Sequence, residues 1–326
     1  MVITMAHGSG GKASAELMAD VFGRYFHNDI LDRMEDAAVF DISGRAAFTT
    51  DSFVVSPLVF KGGDIGKLSI CGTVNDLLMM GAEPRYIACG FILEEGLDMG
   101  MLRQIVESMT LTAKEAGVQI VAGDTKVTEG SGGLYINTSG IGMIPAGRSV
   151  SAAGCGPGDA VLLSGTLGDH HACILSARMG VENGIRSDCA CLSGITDALF
   201  AGGVRVKAMR DVTRGGLGTV LNEIAASSGC LIEIDENSLP VGEEVKAFCG
   251  ILGLDPLYMG NEGKMIAVVA REDAEKAVAL ARKADAGRNA ALIGSVNSGR
   301  GVIMKTRLGS NRAIGPLYGE GLPRIC

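Results

Sequence analysis

The chain runs Tyr86-Ile-Ala-Cys-Gly-Phe-Ile-Leu93, continues through a segment from Met99 to Ala116, and then reads Val118-Gln-Ile-Val-Ala122. The first and last of these runs are short and apolar, and their β-branched and aromatic residues are typical of strands. In residues 99–116 the apolar positions recur at the spacing of one helix face. The order strand, helix, strand predicts a mixed α/β fold.

The same pattern continues on both sides of this unit. Residues 46–55 are predicted as a strand, 65–81 as a helix and 134–144 as another strand. A Gly/Pro cluster at 147–158 interrupts the periodicity. Beyond it the sequence predicts helices near 169–180, 190–203, 215–228, 241–252 and 272–285, and strands near 159–165, 231–234, 264–270, 290–296 and 301–306.

The length of 326 residues exceeds that of most single domains, so two domains of about 150 residues each are expected. The Gly/Pro cluster gives the predicted boundary between residues 1–150 and residues 151–308. From 309 to 326 the apolar pattern is lost, and this segment is predicted to be a flexible tail that ends in Cys326.

Composition limits the function classes. The net charge is −8, aromatic residues make up 4% and Trp is absent, so a nucleic-acid partner is disfavoured. No apolar run reaches the roughly 20 residues of a membrane span, and the first residues lack the pattern of a leader peptide. The nine cysteines are scattered, which predicts reduced thiols and a cytoplasmic protein without a zinc site.

Five aspartates stand at or near the ends of apolar runs, beside Gly, Asn or Thr. Each one alone is more simply a solvated loop acid or a cap. Together they predict a cluster of oxygen ligands for Mg²⁺, the metal that neutralises and bridges the phosphates of a nucleoside triphosphate. The predicted metal ligands are Asp36, Asp51, Asp76, Asp124 and Asp211.

Two further stretches suggest contacts to phosphate. His7-Gly-Ser-Gly-Gly-Lys12 is a glycine-rich loop whose backbone N–H groups suit phosphate, with His7, Gly8, Gly10, Gly11 and Lys12 as the predicted contacts. It lacks the spacing of a Walker A motif, and a flexible N-terminus is the alternative. Lys126 is predicted to meet a phosphate or substrate oxygen; the alternative is a surface lysine.

Glu262 lies in Asn261-Glu-Gly-Lys264, just before an apolar run. A glycine beside the carboxylate permits a sharp turn that presents Glu262 to a cleft, where it is predicted to act as a general base. A plain hairpin turn is the alternative.

Taken together, these stretches resemble the ATP-binding superfamily of aminoimidazole ribonucleotide synthetase, thiamine monophosphate kinase and selenophosphate synthetase. The similarity covers essentially the whole chain and is greatest to the HypE family of hydrogenase maturation proteins, the carbamoyl dehydratases. The motifs that carry it include Thr50-Asp-Ser52, Gly72-Thr-Val-Asn-Asp76, Gly123-Asp-Thr-Lys126, Asp211-Val-Thr-Arg-Gly-Gly216, Asn261-Glu-Gly-Lys264 and Pro323-Arg-Ile-Cys326.

The resemblance implies two α/β domains, a homodimer that pairs through the N-terminal sheets, and ATP bound between sheet and glycine-rich loop. It adds Asn75, Thr125 and Asn261 to the expected nucleotide contacts. Two departures from the wider superfamily leave the number and placement of Mg²⁺ ions open. Glu35 stands where a second Asp is common, and Asp211-Val-Thr-Arg replaces an Asp-x-Ser-Asp-Gly pattern.

The resemblance also implies a function. The chain would dehydrate an S-carbamoyl group on its own Cys326 to an S-cyano group at the expense of ATP, with Cys326, Glu262 and Lys126 as the reacting or catalytic residues. The carbamoyltransferase HypF would supply the carbamoyl group. The HypC–HypD complex would receive the cyanide for its iron.

Two alternatives remain open at the level of sequence. The first is an enzyme of the same superfamily that acts on a diffusible molecule such as thiamine monophosphate or selenide. Selenide kinases place a reactive Cys or selenocysteine in the glycine-rich loop, where this chain has His7 and Ser9, which disfavours selenide. The second is a scaffold whose Cys326 binds a metal or a partner without catalysis.

Overall fold

The computed structural model describes residues 2–8, 12–33 and 37–317. Its strands are β1 Arg45–Phe53, β2 Val59–Phe60, β3 Gly63–Asp64, β4 Glu83–Glu94, β5 Gln119–Thr128, β6 Leu134–Ile144, β7 Ala160–Leu163, β8 Val206–Asp211, β9 Leu231–Asp235, β10 Met265–Val269, β11 Ala291–Asn297, β12 Gly301–Lys305 and β13 Asn311–Ala313. Its α-helices are α1 Lys12–Leu17, α2 Ile65–Met79, α3 Met99–Ala116, α4 Asp169–Met179, α5 Ser193–Ala201, α6 Gly216–Ser228, α7 Glu243–Leu252 and α8 Ala274–Ala281.

The predicted α/β class is confirmed, and local signals explain the best-predicted helix. Helix α3 begins where Asp98 accepts a hydrogen bond from the Met101 N–H at 3.0 Å. It ends at Gly117, whose φ of +70° suits glycine because that residue has no Cβ. Helix α2 begins in the same way, with the Lys67 N–H donating to Asp64 at 2.9 Å.

The first half of the chain forms a four-stranded sheet in the order β1-β6-β4-β5, with only β4 and β5 parallel. One face packs against α2 and α3. The side chains that point to the other face remain accessible; Phe48 is 69% exposed and Ile92 is 48% exposed. The sheet therefore has one covered and one open face.

The second half forms a seven-stranded sheet in the order β13-β12-β9-β11-β7-β10-β8. Every residue of β10 is buried, because alternate side chains pack on opposite faces. Met265, Ala267 and Val269 pack into one apolar cluster, which also contains residues of α5 and α8. Ile266 and Val268 pack into a second cluster with α6.

Three segments differ from the sequence-based expectation. The N-terminal segment is helical over Lys12–Leu17 and continues as a π-helical turn over Met18–Gly23. Strand β8 had not been predicted. Residues 311–313, expected within the flexible tail, pair with β12 as β13. Among the described residues, no helix combines the length and apolar character needed to cross a membrane.

Candidate functional site

A cavity of about 500 Å³ lies where the two halves of the chain meet. The first half contributes the end of β1 and one face of α2, and the second half contributes the end of β8 and the turn before β10. Its volume is within the usual range for small-molecule sites. The lining residues are Thr50, Asp51, Ser52, Phe53, Val54, Gly72, Asp76, Asn137, Asp211, Thr213, Arg214 and Glu262.

Close packing of α2 on β1 brings two of the acids together. A Cβ at Gly72 would lie 2.8 Å from Cζ of Phe53, so glycine is required for this approach. Thr49 donates its hydroxyl to Oδ2 of Asp76 at 2.7 Å. Asp51 lies two residues further along β1, on the same face of the strand as Thr49.

Burial, and for two of the acids a neighbouring carboxylate, disfavours ionisation of the carboxyl groups in the cavity. Burial raises the pKa of Asp51 to about 6, and Asp76 adds to this shift. Burial raises the pKa of Asp211 to about 7, with Asp76 and Asp51 acting in the same direction. Burial also raises the pKa of Asp76, against the hydrogen bond from Thr49. Such a set of oxygen donors suits a divalent cation, which would stabilise the ionised forms.

Glu262 is 4% exposed, and its Oε1 atom has no hydrogen-bond partner. Burial raises its pKa well above the ordinary range, and Asp188, Asp211 and Asp51 act in the same direction. Arg214 opposes them. A buried carboxyl with an unused oxygen at the edge of a cavity is suited to accept a proton.

Two predicted nucleotide contacts, Asn261 and Asn75, have buried side chains with internal hydrogen-bond partners. The Asn261 side chain is fully buried; it accepts from the Gly168 N–H at 2.8 Å and donates to the Val212 carbonyl at 3.0 Å. Asn75 is also buried, and both ends of its amide bind backbone groups of residues 190 and 192. Both side chains therefore have internal partners and hold the walls of the cavity.

Lys126 and Asp124 lie on β5, at the opposite edge of the sheet from β1. Asp51 is three strand spacings away, about 14 Å across the sheet. Lys126 Nζ is 2.8 Å from Asp124, and this hydrogen bond lowers the pKa of Asp124. Asp124 and Thr125 line a different, largely apolar cavity of about 570 Å³ beside the N-terminal helical segment.

The predicted five-aspartate cluster is therefore divided. Asp51, Asp76 and Asp211 line one cavity, Asp124 lies elsewhere, and Asp36 is outside the described residues. Over residues 2–8, 12–33 and 37–317, no group of three His, Cys, Asp or Glu side chains is already arranged to hold a metal ion.

The glycine-rich segment lies against β5. A Cβ at Gly8 would be 2.8 Å from Cβ of Val127, so the start of the segment packs on this strand next to Val127. The His7 ring accepts from the Thr4 N–H at 3.1 Å, and Lys12 pairs with Glu16 at 3.6 Å. Gly10, Gly11 and Cys326 lie outside the described residues.

Comparison with known proteins decides the family. The family models for AIR synthase related proteins match with their N-terminal domain at residues 34–144 and their C-terminal domain at 156–306. The carbamoyl dehydratase HypE of Azotobacter vinelandii is 48% identical, over 99% of this chain and 97% of the relative. The chain belongs to the HypE family.

Solved HypE structures agree with this assignment. A crystal structure of the hydrogenase maturation protein HypE in complex with ATP has a TM-score of 0.95 at 47% identity, and the match covers 99% of each chain. A HypE–HypF complex gives a TM-score of 0.81 at 46% identity and covers 92% of this chain and 99% of the other. The predicted fold is confirmed. These matches also confirm the predicted carbamoyl dehydratase family and not the alternative, a superfamily enzyme that acts on a diffusible substrate.

Arg214 is a residue of the acidic cavity that was not assigned from the sequence. It lines the same cavity as the acids and lowers the pKa of Asp51 and Glu262. Its position three residues after Asp211, in a stretch already singled out, was the available signal. Charge alone could not show that the side chain turns toward the acids.

Proposed function

We propose that the chain is an ATP-dependent carbamoyl dehydratase of hydrogenase maturation whose substrate is an S-carbamoyl group on its own Cys326. The observation that carries this proposal is the match over 99% of both chains to a HypE structure in complex with ATP. The acidic cavity and the motif Pro323-Arg-Ile-Cys326 support it.

The proposed reaction has two chemical steps. The carbamoyl oxygen attacks the γ-phosphorus of ATP, ADP leaves, and loss of one N–H proton gives an isoimidate phosphate. Removal of the second N–H proton expels phosphate as the C–O bond breaks and leaves S–C≡N. Glu262 is the proposed acceptor of this second proton, because its Oε1 is unpartnered and its pKa is raised.

Mg²⁺ is part of the proposal. Asp51, Asp76 and Asp211 would hold it, since they are oxygen donors that line one cavity and have raised pKa values. When bound, the cation would offset the charge that develops on the transferred phosphoryl group. Roles for Asp36 and Asp124 as further ligands, and for Asn75 and Asn261 as nucleotide contacts, stay predictions.

Lys126 and the glycine-rich segment form the second part of the proposed site. His7 and Gly8 lie against β5, the strand that carries Thr125 and Lys126, and Gly10, Gly11 and Lys12 belong to the same loop in the sequence. Their N–H groups and positive charge suit phosphate oxygens. Lys126 is proposed to stabilise the charge of the transferred group.

A homodimer would cover the open face of the first sheet. Phe48 and Ile92 are exposed on that face, and apolar side chains on an otherwise regular sheet favour pairing with a second copy. Within one chain, the edge strands β1 and β5 are three strand spacings apart. In such a pair each of them would lie beside the partner's sheet.

The proposed protein partners follow from the family. HypF would transfer the carbamoyl group to Cys326, in line with the solved HypE–HypF complex of a relative. The HypC–HypD complex would accept the cyanide for its iron. A cytoplasmic location remains an expectation from the sequence.

The deciding experiment is a mass spectrum of the peptide that contains Cys326. After treatment with HypF and a carbamoyl donor it should carry a carbamoyl group, and after ATP and Mg²⁺ it should lose one water. Cys326→Ala should show neither change while it keeps ATP binding, and Cys191→Ala serves as the control thiol. Cyanide formation by Cys326→Ala would overturn the self-substrate mechanism.

A further inference from the structure

Asp188 lies behind the turn that carries Glu262. Its side chain is 3% exposed, and the carboxylate is not among the groups that line the acidic cavity. A carboxylate buried this deeply needs several partners to offset its desolvation. Lys264 is one of them, with Nζ 3.4 Å from Oδ2 of Asp188.

The remaining partners are backbone N–H groups from two separate segments. Oδ1 of Asp188 accepts from Glu262 at 3.3 Å and from His170, in the first turn of α4, at 3.1 Å. Oδ2 accepts from Gly263 at 3.0 Å. One carboxylate therefore fixes two successive peptide units of the Glu262 turn against α4.

Direct backbone packing strengthens this connection. A Cβ at Gly263 would lie 1.9 Å from the carbonyl oxygen of Asp188, so the turn rests on the backbone of that segment and requires glycine. The Ala190 N–H also donates to the Glu262 carbonyl at 3.4 Å. The turn is therefore held through the N–H groups of Glu262 and Gly263 and through the carbonyl of Glu262.

The segment that contains Asp188 is in turn bound to the first half of the chain. Asn75 of α2 donates to the Ala190 carbonyl at 3.0 Å and accepts from the Leu192 N–H at 2.9 Å. Asp76, the next residue of α2, lines the cavity. A short path therefore runs from Glu262 through Asp188 and Asn75 to Asp76.

We propose that Asp188 is a positioning residue for the dehydration: through the backbone of the turn it holds Glu262 in place relative to Asp76 on α2. This inference rests on the proposed role of Glu262 as the base. Proton removal depends on placement within a fraction of an ångström, and a displacement of about 1 Å can cost about 10²-fold in rate. Asp188 itself does not touch the substrate.

The test uses the full chain carbamoylated on Cys326 and compares Asp188→Asn and Asp188→Ala with the parent. Asp188→Asn keeps the shape of the side chain and one acceptor, so it provides a measurement if Asp188→Ala does not fold. Asp255→Asn is the matched control. Asp255 likewise accepts from a backbone N–H, that of Leu257, and pairs with Arg312, but it lies away from the cavity.

In the Asp188 variants, the dehydration rate constant should fall by about 10²-fold in Asp188→Ala and less in Asp188→Asn, while the Kd for ATP is unchanged. Hydrogen exchange at the amides of Glu262 and Gly263 should become faster. The Asp255→Asn control should change neither. A purely structural role would instead lower ATP affinity and melting temperature together with the rate.

Unchanged rate and unchanged exchange in both Asp188 variants would overturn the inference. So would a loss of rate that parallels the loss of ATP affinity. Glu262→Gln, measured in parallel, distinguishes a failure of the proposed role of Glu262 from a failure of the proposed role of Asp188. If that variant dehydrates normally, the proposed function of Glu262 fails; if it is inactive while the Asp188 variants act like the parent, only the role of Asp188 fails.

Discussion

The Leu192 N–H donates to Oδ1 of Asn75 at 2.9 Å, although the two residues are 117 positions apart in the sequence. The other end of the same amide donates to the carbonyl of Ala190. Asn75 is 3% exposed, so water does not replace these bonds. A single side chain thus joins α2 of the first half to the segment before α5 in the second.

Asn75→Ala should therefore destabilise the protein by about 2–3 kcal/mol, since it leaves buried backbone groups without partners. Urea unfolding measures this change. Asn222→Ala is a suitable control, because Asn222 also donates to two carbonyls, those of Gly218 and Ile314, but is only half-buried, so a smaller loss is expected. Normal stability combined with weaker ATP binding would favour the sequence-based prediction that Asn75 contacts nucleotide.

Asp76→Asn should weaken Mg²⁺-dependent ATP binding by about tenfold or more, because it removes an oxygen ligand from the proposed cation site. Calorimetric titration with ATP, with and without Mg²⁺, measures the effect. Asp41→Asn makes the same charge change at an exposed position outside the cavity and should act like the parent. An unaltered Mg²⁺ dependence in Asp76→Asn would exclude this residue as a ligand.

The raised pKa of Asp211, about 7, has a defined consequence for stability. The folded state holds the proton more tightly than the unfolded state, so the stability contribution of this group grows as pH falls below about 7 and is lost above it. In EDTA, Asp211→Asn should exceed the parent in stability by on the order of 3 kcal/mol at pH 8, and the gap should narrow toward pH 6.

Thermal unfolding at the two pH values gives this comparison. Mg²⁺ added at pH 8 should stabilise the parent and have less effect on the variant, because the cation offsets the charge of Asp211. A stability difference between Asp211→Asn and the parent that is independent of pH would show that the Asp211 carboxyl does not titrate in this range.

Phe48→Asp should convert the proposed homodimer to a monomer, since it places a charge on the open sheet face. Sedimentation at micromolar concentration reports the state of association. Leu111→Asp is the control, because Leu111 is 62% exposed on α3, away from that face. A parent protein that sediments only as a monomer would contradict the dimer itself.

Local signals in the sequence were enough to predict the helices and strands that have strong periodicity and clear caps. Helix α3 was predicted over 99–116 and is observed over those residues, because Asp98 and Gly117 define both ends. Strand β8 was missed, since Lys207 and Arg210 interrupt its apolar pattern and its place is fixed by pairing with β10. The N-terminal helical segment was missed for a similar reason: its apolar residues are stabilised by packing on the sheet.

Within the site, the sequence indicated which residue types matter but not which residues lie together. Acids at the ends of apolar runs were recognised, and three of them with Glu262 do line one cavity. Asn75 and Asn261 remain predicted nucleotide contacts, but their bonds to distant backbone groups could not be predicted, because such partners leave no local pattern in the sequence. The separation of Asp124 from Asp51 depends on the strand order β1-β6-β4-β5, which the sequence does not specify.

One apolar cluster crosses the boundary between the two halves: it contains Ile70 and Leu78 of α2 as well as Ile185, Leu192 and Ile195 of the second half. Neither half can therefore bury its own surface completely if the other is removed. Fragments produced by cutting near residue 150 would be poor independent folding units. The chain is accordingly best engineered, truncated or fused as one piece.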